Sequence, residues 1–367
     1  MNNSLLSKLT LVMPTYKRQS YALRNMRYWS GRVATVHVMD GSPSAISASE
    51  LVGLAGNIHY HYLPISLFRR IEHSLGLIET EYAAMMGDDE FYIPSALEAC
   101  MRELESQVEL VSCMGRCIVF SYTPRGGVVG KMGYTKMENY SILQDDPIER
   151  MVAHMDPYTC STSYSVVRSP VWQRSMLTSV QKEFPAFAIT EYQFELAVCY
   201  QGKSKVIPEL MWMRSGEMPP IRGRDPSLIP KNTSMKWWLD PSKEVEHTEF
   251  LTIMGTTLAE TEDKATEIAS GVKMAFDVFV QGQLNKPRSG KARDFMVKIA
   301  PYLPAPLKSI LRPTLRPVVK LLLNDGIERP LLEAAKDLAA TGVKIDFEEV
   351  SKIQSIVSAF HVKDLQS

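Results

Sequence analysis

The sequence predicts an α/β protein: a mostly parallel, doubly wound sheet with helices on both faces, followed by a helical C-terminal region. Three observations predict it. Short apolar runs at 9–13, 34–39, 58–63 and 82–86 each end in proline, glycine or acids, as buried strands of a parallel sheet do. Stretches of helical spacing lie between them, clearest in Phe68, Ile71, Leu75 and Ile78 with Arg69, Arg70 and Glu72 interleaved. From Pro241 onward the strand period gives way to a helical one.

Taken in order, Leu9 to Met13 is a strand stopped by Pro14, and Thr15 to Arg18 is the loop before a helix through Tyr21 to Trp29. Ala34 to Met39 is a second strand, in which His37 reads as a core or strand-surface residue; Asp40-Gly41-Ser42-Pro43 turns the chain at its end. Ile58 to Leu63, stopped by Pro64, is the third, and Tyr82 to Met86 the fourth. Ser95 to Glu105 reads as a helix and Leu110 to Phe120 as a strand. Residues 122 to 133, with four glycines and Pro124, read as a loop or hairpin; no Gly-Lys-Ser/Thr ending follows that would mark a phosphate cradle. Asp145-Asp146-Pro147 opens a helix. Thr159 to Val167 alternates like a half-buried strand, with His154 and Asp156 before it read as structural. A helix covers Pro170 to Leu177, another starts at Ile189 with Thr190 as its N-cap, and Lys205 to Met213 is the last strand.

A length of 367 residues predicts two domains, or one large domain with an appendage, and the change of period divides the chain at 1–240 and 241–367. The balance of 41 basic and 41 acidic residues excludes a generic nucleic-acid binder. Five cysteines without zinc-ligand spacing read as reduced thiols of a cytoplasmic protein. Met1 to Leu9 shows no secretory signal, and no apolar run is long enough to span a bilayer.

The chemical centre lies at Met85-Met86-Gly87-Asp88-Asp89-Glu90-Phe91, where an apolar run ends in three consecutive acids. Adjacent carboxylates repel one another. A strand that delivers them together either presents them to a cation or spends them on the helix that starts near Pro94. In open α/β sheets ligands sit beyond the carboxyl ends of strands, where these acids fall.

Val12-Met13-Pro14-Thr15-Tyr16-Lys17-Arg18, then Asp40-Gly41-Ser42, Arg70 on a helix, and Tyr82 leading to Asp88-Asp89-Glu90 together resemble the family 2 type glycosyltransferases of GT-A fold, over residues 9 to 215. The resemblance implies a sugar transferred from a nucleotide-diphosphate donor to a hydroxyl, with inversion, in surface polysaccharide assembly. It implies a donor pocket lipped by Pro14, Thr15, Tyr16 and Arg18. Asp40 would accept from the base, Arg70 or its neighbour Arg69 would lie by the base or diphosphate, and Asp88 and Asp89 would face the donor. Asp88 and Glu90 would hold Mn²⁺ or Mg²⁺, although Glu90 stands where the family has Asp, and Lys17 where it has Asn. A base is needed to take the proton of the attacking hydroxyl, and by position Glu191 is the candidate, with Glu195 one turn later as the second.

Residues 217 to 232, rich in proline, read as a lid or a linker, with Arg222 and Arg224 as candidate diphosphate clamps. Segment 286–320 carries nine basic residues against one acid, a net +8, interleaved with apolar and aromatic residues. That pattern suits a peripheral contact with an anionic membrane surface, and equally a solvated face or a protein partner. A glycan or lipid-linked acceptor would fit the first. Two amphipathic helices over Glu333 to Phe360 would pack on the domain or form a homo-oligomer. Two other readings stand beside the transferase. A nucleotidyltransferase would need a glycine-rich loop where Pro14 to Arg18 has none, and a non-catalytic sugar-nucleotide-binding scaffold is motivated by the irregular Asp-Asp-Glu.

Overall fold

The computed structural model describes residues 4–123, 126–184, 188–217, 234–285 and 328–364. Four strands form its parallel part: β1 (Leu9–Thr15), β2 (Thr35–Asp40), β3 (Ile58–Tyr62) and β4 (Tyr82–Met85), in the order β4-β1-β2-β3, with the single turn α2 (Ala48–Leu51) between β2 and β3. In β1, β2 and β4 the side chains alternate between two cores, which is why those runs are mostly apolar; β3, at the edge, is half-exposed. Leu11, Met13 and Val38 face one side, with α1 (Gln19–Trp29) and α4 (Pro94–Ser106). Val12, Met39 and Ala83 face the other, with α3 (Leu67–Leu75), α6 (Ser169–Val180) and α7 (Ala188–Gln201). Helices therefore cover both faces, as the sequence predicts.

The rest of the sheet departs from the predicted parallel order. β6 (Leu110–Tyr122) and β7 (Val128–Gly133) pair antiparallel. Too few residues lie between them for a crossover, and the turn holds Gly126 and Gly127 at φ +78° and +104°, a conformation only glycine adopts freely. The short β9 (Val166–Arg168) runs antiparallel to both β4 and β6, joining the two halves. β10 (Lys203–Ser215) returns parallel to β6, and also pairs antiparallel with β5 (Phe91–Tyr92) and β8 (Ser141–Ile142). The expected strand over 159–167 shrinks to β9. Upstream of it Thr159, Ser161, Thr162 and Ser163 are buried in irregular chain, in which Ser165 Oγ donates to the Thr162 carbonyl at 2.7 Å and Ser163 Oγ to Glu195 at 2.9 Å.

Helix α5 (Pro147–Met155) starts as predicted, Asp146 accepting from the Ile148 and Glu149 N–H groups at 2.8 and 2.9 Å. Thr190, the predicted N-cap, lies inside α7, which begins at Ala188. The C-terminal residues divide between two places. Helices 244–258 and 262–284 pack on α5, α6 and α7 through Phe250, Ile268 and Phe276. Helices 331–339 and 347–364 cover β6 and β7, and Leu331, Val350 and Ile353 enter the same core as β1. The lid residues 218–232, with Arg222 and Arg224, and the basic segment 286–320 lie outside the described residues. Among the described residues no helix is long and apolar enough to cross a membrane, and all five cysteines are free thiols.

Candidate functional site

Strands β2, β1 and β4 end side by side, and the residues that follow them form one edge. After β4 the chain turns around the side chain of Asn25 in α1. Its Nδ2 donates to the carbonyls of Gly87, Asp88 and Glu90 at 3.2, 3.3 and 2.6 Å. Arg24 donates to the Asp89 carbonyl at 2.9 Å and is itself held by a buried ion pair with Glu217 at 3.2 Å.

The turn thus points its carboxylates in fixed, different directions. Asp88 accepts from Thr15 Oγ1 at 2.8 Å and faces Arg18 at 3.3 Å, and Asp89 pairs with the same guanidinium. Glu90 turns away, accepting from Trp212 Nε1 at 2.9 Å with Arg214 at 3.9 Å. Trp212 is sandwiched between Tyr164 and Tyr134, with ring centroids 4.2 and 5.1 Å away. Burial pushes Asp88 up to about 7, with Arg18 opposing and Asp89 adding. Burial also pushes Glu90 up to about 8, outweighing the Trp212 bond and Arg214.

Beside this edge, Pro14 and Gly87 form the rim of a cavity of about 190 Å³ between α3, α6 and α7. Most of its wall is apolar, and Ser163, Thr190 and Glu191 are among its polar residues. Burial raises Glu191 to about 7, helped by the charge of Glu195 and opposed by Arg214. Glu195 is fully buried beneath it. Its Oε1 accepts from Ser163 Oγ at 2.9 Å and its Oε2 faces His154 Nε2 at 3.4 Å. One helical turn therefore separates an acid open to the cavity from an acid consumed by internal partners.

No family model and no curated protein matches the sequence. Among solved structures the chain is similar to S. aureus TarS 1-349: 10% identity over 77% of this chain and 74% of that one, TM-score 0.47. Its complex with UDP-GlcNAc gives 12% identity over 77% and 74%, TM-score 0.46. The complex with UDP gives 10% over 75% and 88%, TM-score 0.40. At these scores the likeness carries no argument about the site, which stands on its own geometry.

The structure brings Pro14, Thr15, Tyr16, Arg18, Asp88 and Asp89 together at the edge, and places Glu191 across the rim. Two predicted donor contacts are corrected. Asp40 has no exposed surface, and protein groups fill its carboxylate: Gln19 Nε2 and Tyr60 OH, each at 2.6 Å, and the Ser42 N–H at 2.8 Å. Arg70 is buried under the strand ends, donating to the carbonyls of Thr15, Met39 and Ile65 at 2.6, 2.8 and 3.2 Å. A Cβ at Gly41 would lie 2.5 Å from its guanidinium, so glycine there is what lets Arg70 through. Arg69 is exposed and pairs with Glu72 at 2.6 Å.

The expected Mn²⁺ or Mg²⁺ site on Asp88 and Glu90 does not fit the residues as they stand. Asp88 is engaged by Thr15 and Arg18, while Glu90 is turned to Trp212. Among the described residues no group of three His, Cys, Asp or Glu side chains is arranged to hold an ion. The sequence reading missed Asn25, Trp212 and Arg214. A fully buried Asn on the inward face of a helix is a signal it could have used for the first. Nothing in the pattern of the last strand marks the other two.

Proposed function

We propose that this chain is a glycosyltransferase that moves a sugar from a nucleoside-diphosphate donor to a hydroxyl acceptor. One observation carries the reading: Glu191, an acid with its proton affinity near neutrality, opens onto a cavity whose rim, Pro14 and Gly87, adjoins Thr15, Arg18, Asp88 and Asp89. The donor lies along that edge. Its ribose hydroxyls donate to Asp88 and Asp89, and Arg18 swings from the carboxylates to the diphosphate, which it can meet with two parallel N–H groups. Glu191 faces the acceptor hydroxyl. Its carboxylate takes the proton as the oxygen attacks the anomeric carbon, while the bond to the β-phosphate breaks and the nucleoside diphosphate leaves with the electron pair. One positioned base and one displacement give inversion. A role in surface polysaccharide assembly, and membrane contact through 286–320, belong to the same reading but draw nothing from the described residues.

Incubation with UDP- and GDP-linked sugars, reading released nucleotide, tests it. Release from at least one donor, rising with an alcohol acceptor, is expected. Nucleotide binding without release from any donor would make the chain a binding protein, and absence of both would overturn the reading.

A further inference from the structure

The cavity beside Glu191 has a character that sugar transfer alone does not explain. Leu67, Phe68, Ile71, Met176, Val180 and Phe194 make the helical side of its wall. The polar groups that line it are largely spent within the protein. Ser163 Oγ donates to Glu195, and Ser179 Oγ donates to the Thr190 carbonyl at 3.0 Å. What remains is chiefly the Glu191 carboxylate; Thr190 Oγ1 has no hydrogen-bond partner among the described residues, but it has no surface open to the cavity.

We infer that the cavity takes a hydroxyl-bearing aromatic ring, so that the acceptor is a phenol or aryl alcohol whose hydroxyl meets Glu191. The inference rests on the proposed transfer reaction and names the acceptor class for that same site.

Size admits the ring. An apolar cavity of roughly 150 Å³ is enough to bind benzene, and this one measures about 190 Å³. A hexose ring is of similar bulk, so chemistry decides. Besides its attacking hydroxyl it would bring several others into a wall that offers them nothing, and a buried hydroxyl without a partner is strongly disfavoured. A phenol brings one hydroxyl, and the wall provides one place for it. The proton transfer also suits a phenol. Its acidity is close to that of tyrosine, with a pKa of about 10. It therefore gives its proton to a carboxylate of Glu191's affinity far more readily than an aliphatic alcohol does. The phenolic oxygen forms the new bond to the anomeric carbon, the bond to the β-phosphate breaks, and Glu191 keeps the proton.

The test is fluorine NMR of 4-fluorophenol with the full-length protein, alongside calorimetry of UDP and GDP on the same preparation. The ligand signal is expected to broaden and shift on adding protein, to be restored by unlabelled 4-methylphenol, and to be unaffected by methyl glucoside at equal concentration. Val180→Phe, which fills the cavity, is expected to abolish the shift with the melting transition retained. If that variant does not fold, the wild-type competition decides alone. Displacement by methyl glucoside as effective as by 4-methylphenol would overturn the inference. So would an unchanged 4-fluorophenol signal in protein that binds a nucleotide. An unchanged signal in protein that binds neither nucleotide would strike the transferase reading itself.

Discussion

The strand-end edge and the helix-lined cavity meet at Pro14 and Gly87, yet they treat buried acids in opposite ways. At the edge, each carboxylate is built into a partner set: Asp40 with Gln19, Tyr60 and Ser42, Asp88 with Thr15 and Arg18, Glu90 with Trp212. In the cavity Glu191 looks onto hydrocarbon, while its neighbour one turn on is consumed by Ser163 and His154. Asp40 and Glu90, whose partners are fixed groups, hold the framework, whereas Asp88 and Asp89 share Arg18, which a diphosphate can draw away. The acid left without such partners is the one with chemistry still to do.

The sharpest way to break that contrast is Glu191→Gln, which keeps shape and removes the base. A fall in kcat of roughly 10²- to 10⁴-fold is expected, with nucleotide affinity unchanged in calorimetry. A fall below tenfold would place the base elsewhere. The framework side predicts a change in stability instead. Arg70→Met abandons three carbonyls at the ends of β1, β2 and the loop after β3, and should lower the unfolding free energy by about 3–5 kcal/mol in urea titration. An unaltered midpoint would show that Arg70 is not the clamp.

A smaller effect tests the link between the two glutamates. Glu195→Gln removes the negative charge that helps hold the proton on Glu191, leaving Arg214's opposing pull in place. The acid limb of kcat/KM should therefore move to lower pH; a limb that stays put would mean Glu195 serves packing alone. The smallest concerns the far sheet edge, where His37 donates to or accepts from His61 at 2.9 Å and stacks on His59. Burial, with His61 and His59 adding, lowers His37 to about 4. The unfolded chain, protonating near the ordinary 6.5, binds the proton more readily. Its stabilising contribution is complete above about 6.5 and is lost as pH falls toward 4. Melting temperatures of wild type and His37→Gln should converge on acidification, and parallel loss would contradict this.

Much of this was legible in the sequence where one residue type has one use. Apolar runs closed by Pro14 and Asp40 mark strands buried on both faces, and Asp146-Pro147 marks a helix start. The acids at 88–90 lie at a strand end, as the pattern implies. What stayed hidden depends on partners distant in the chain. Asp40 and Arg70 carry the right chemistry for a ligand, but Tyr60, Gln19 and three carbonyls claim them first. The glycines of 122–133 mark the β6–β7 hairpin, but the reversal of β9 hides in the same apolar alternation that a parallel strand would show.

The central claim is that the edge formed by Thr15, Arg18, Asp88 and Asp89 holds a nucleoside diphosphate. Calorimetric titration of UDP and GDP into wild type and Arg18→Met tests it most directly. The account predicts binding of at least one nucleotide, weakened at least tenfold in the variant, with the melting transition preserved. Equal affinity in the two proteins, or no binding of either nucleotide to the wild type, would contradict it.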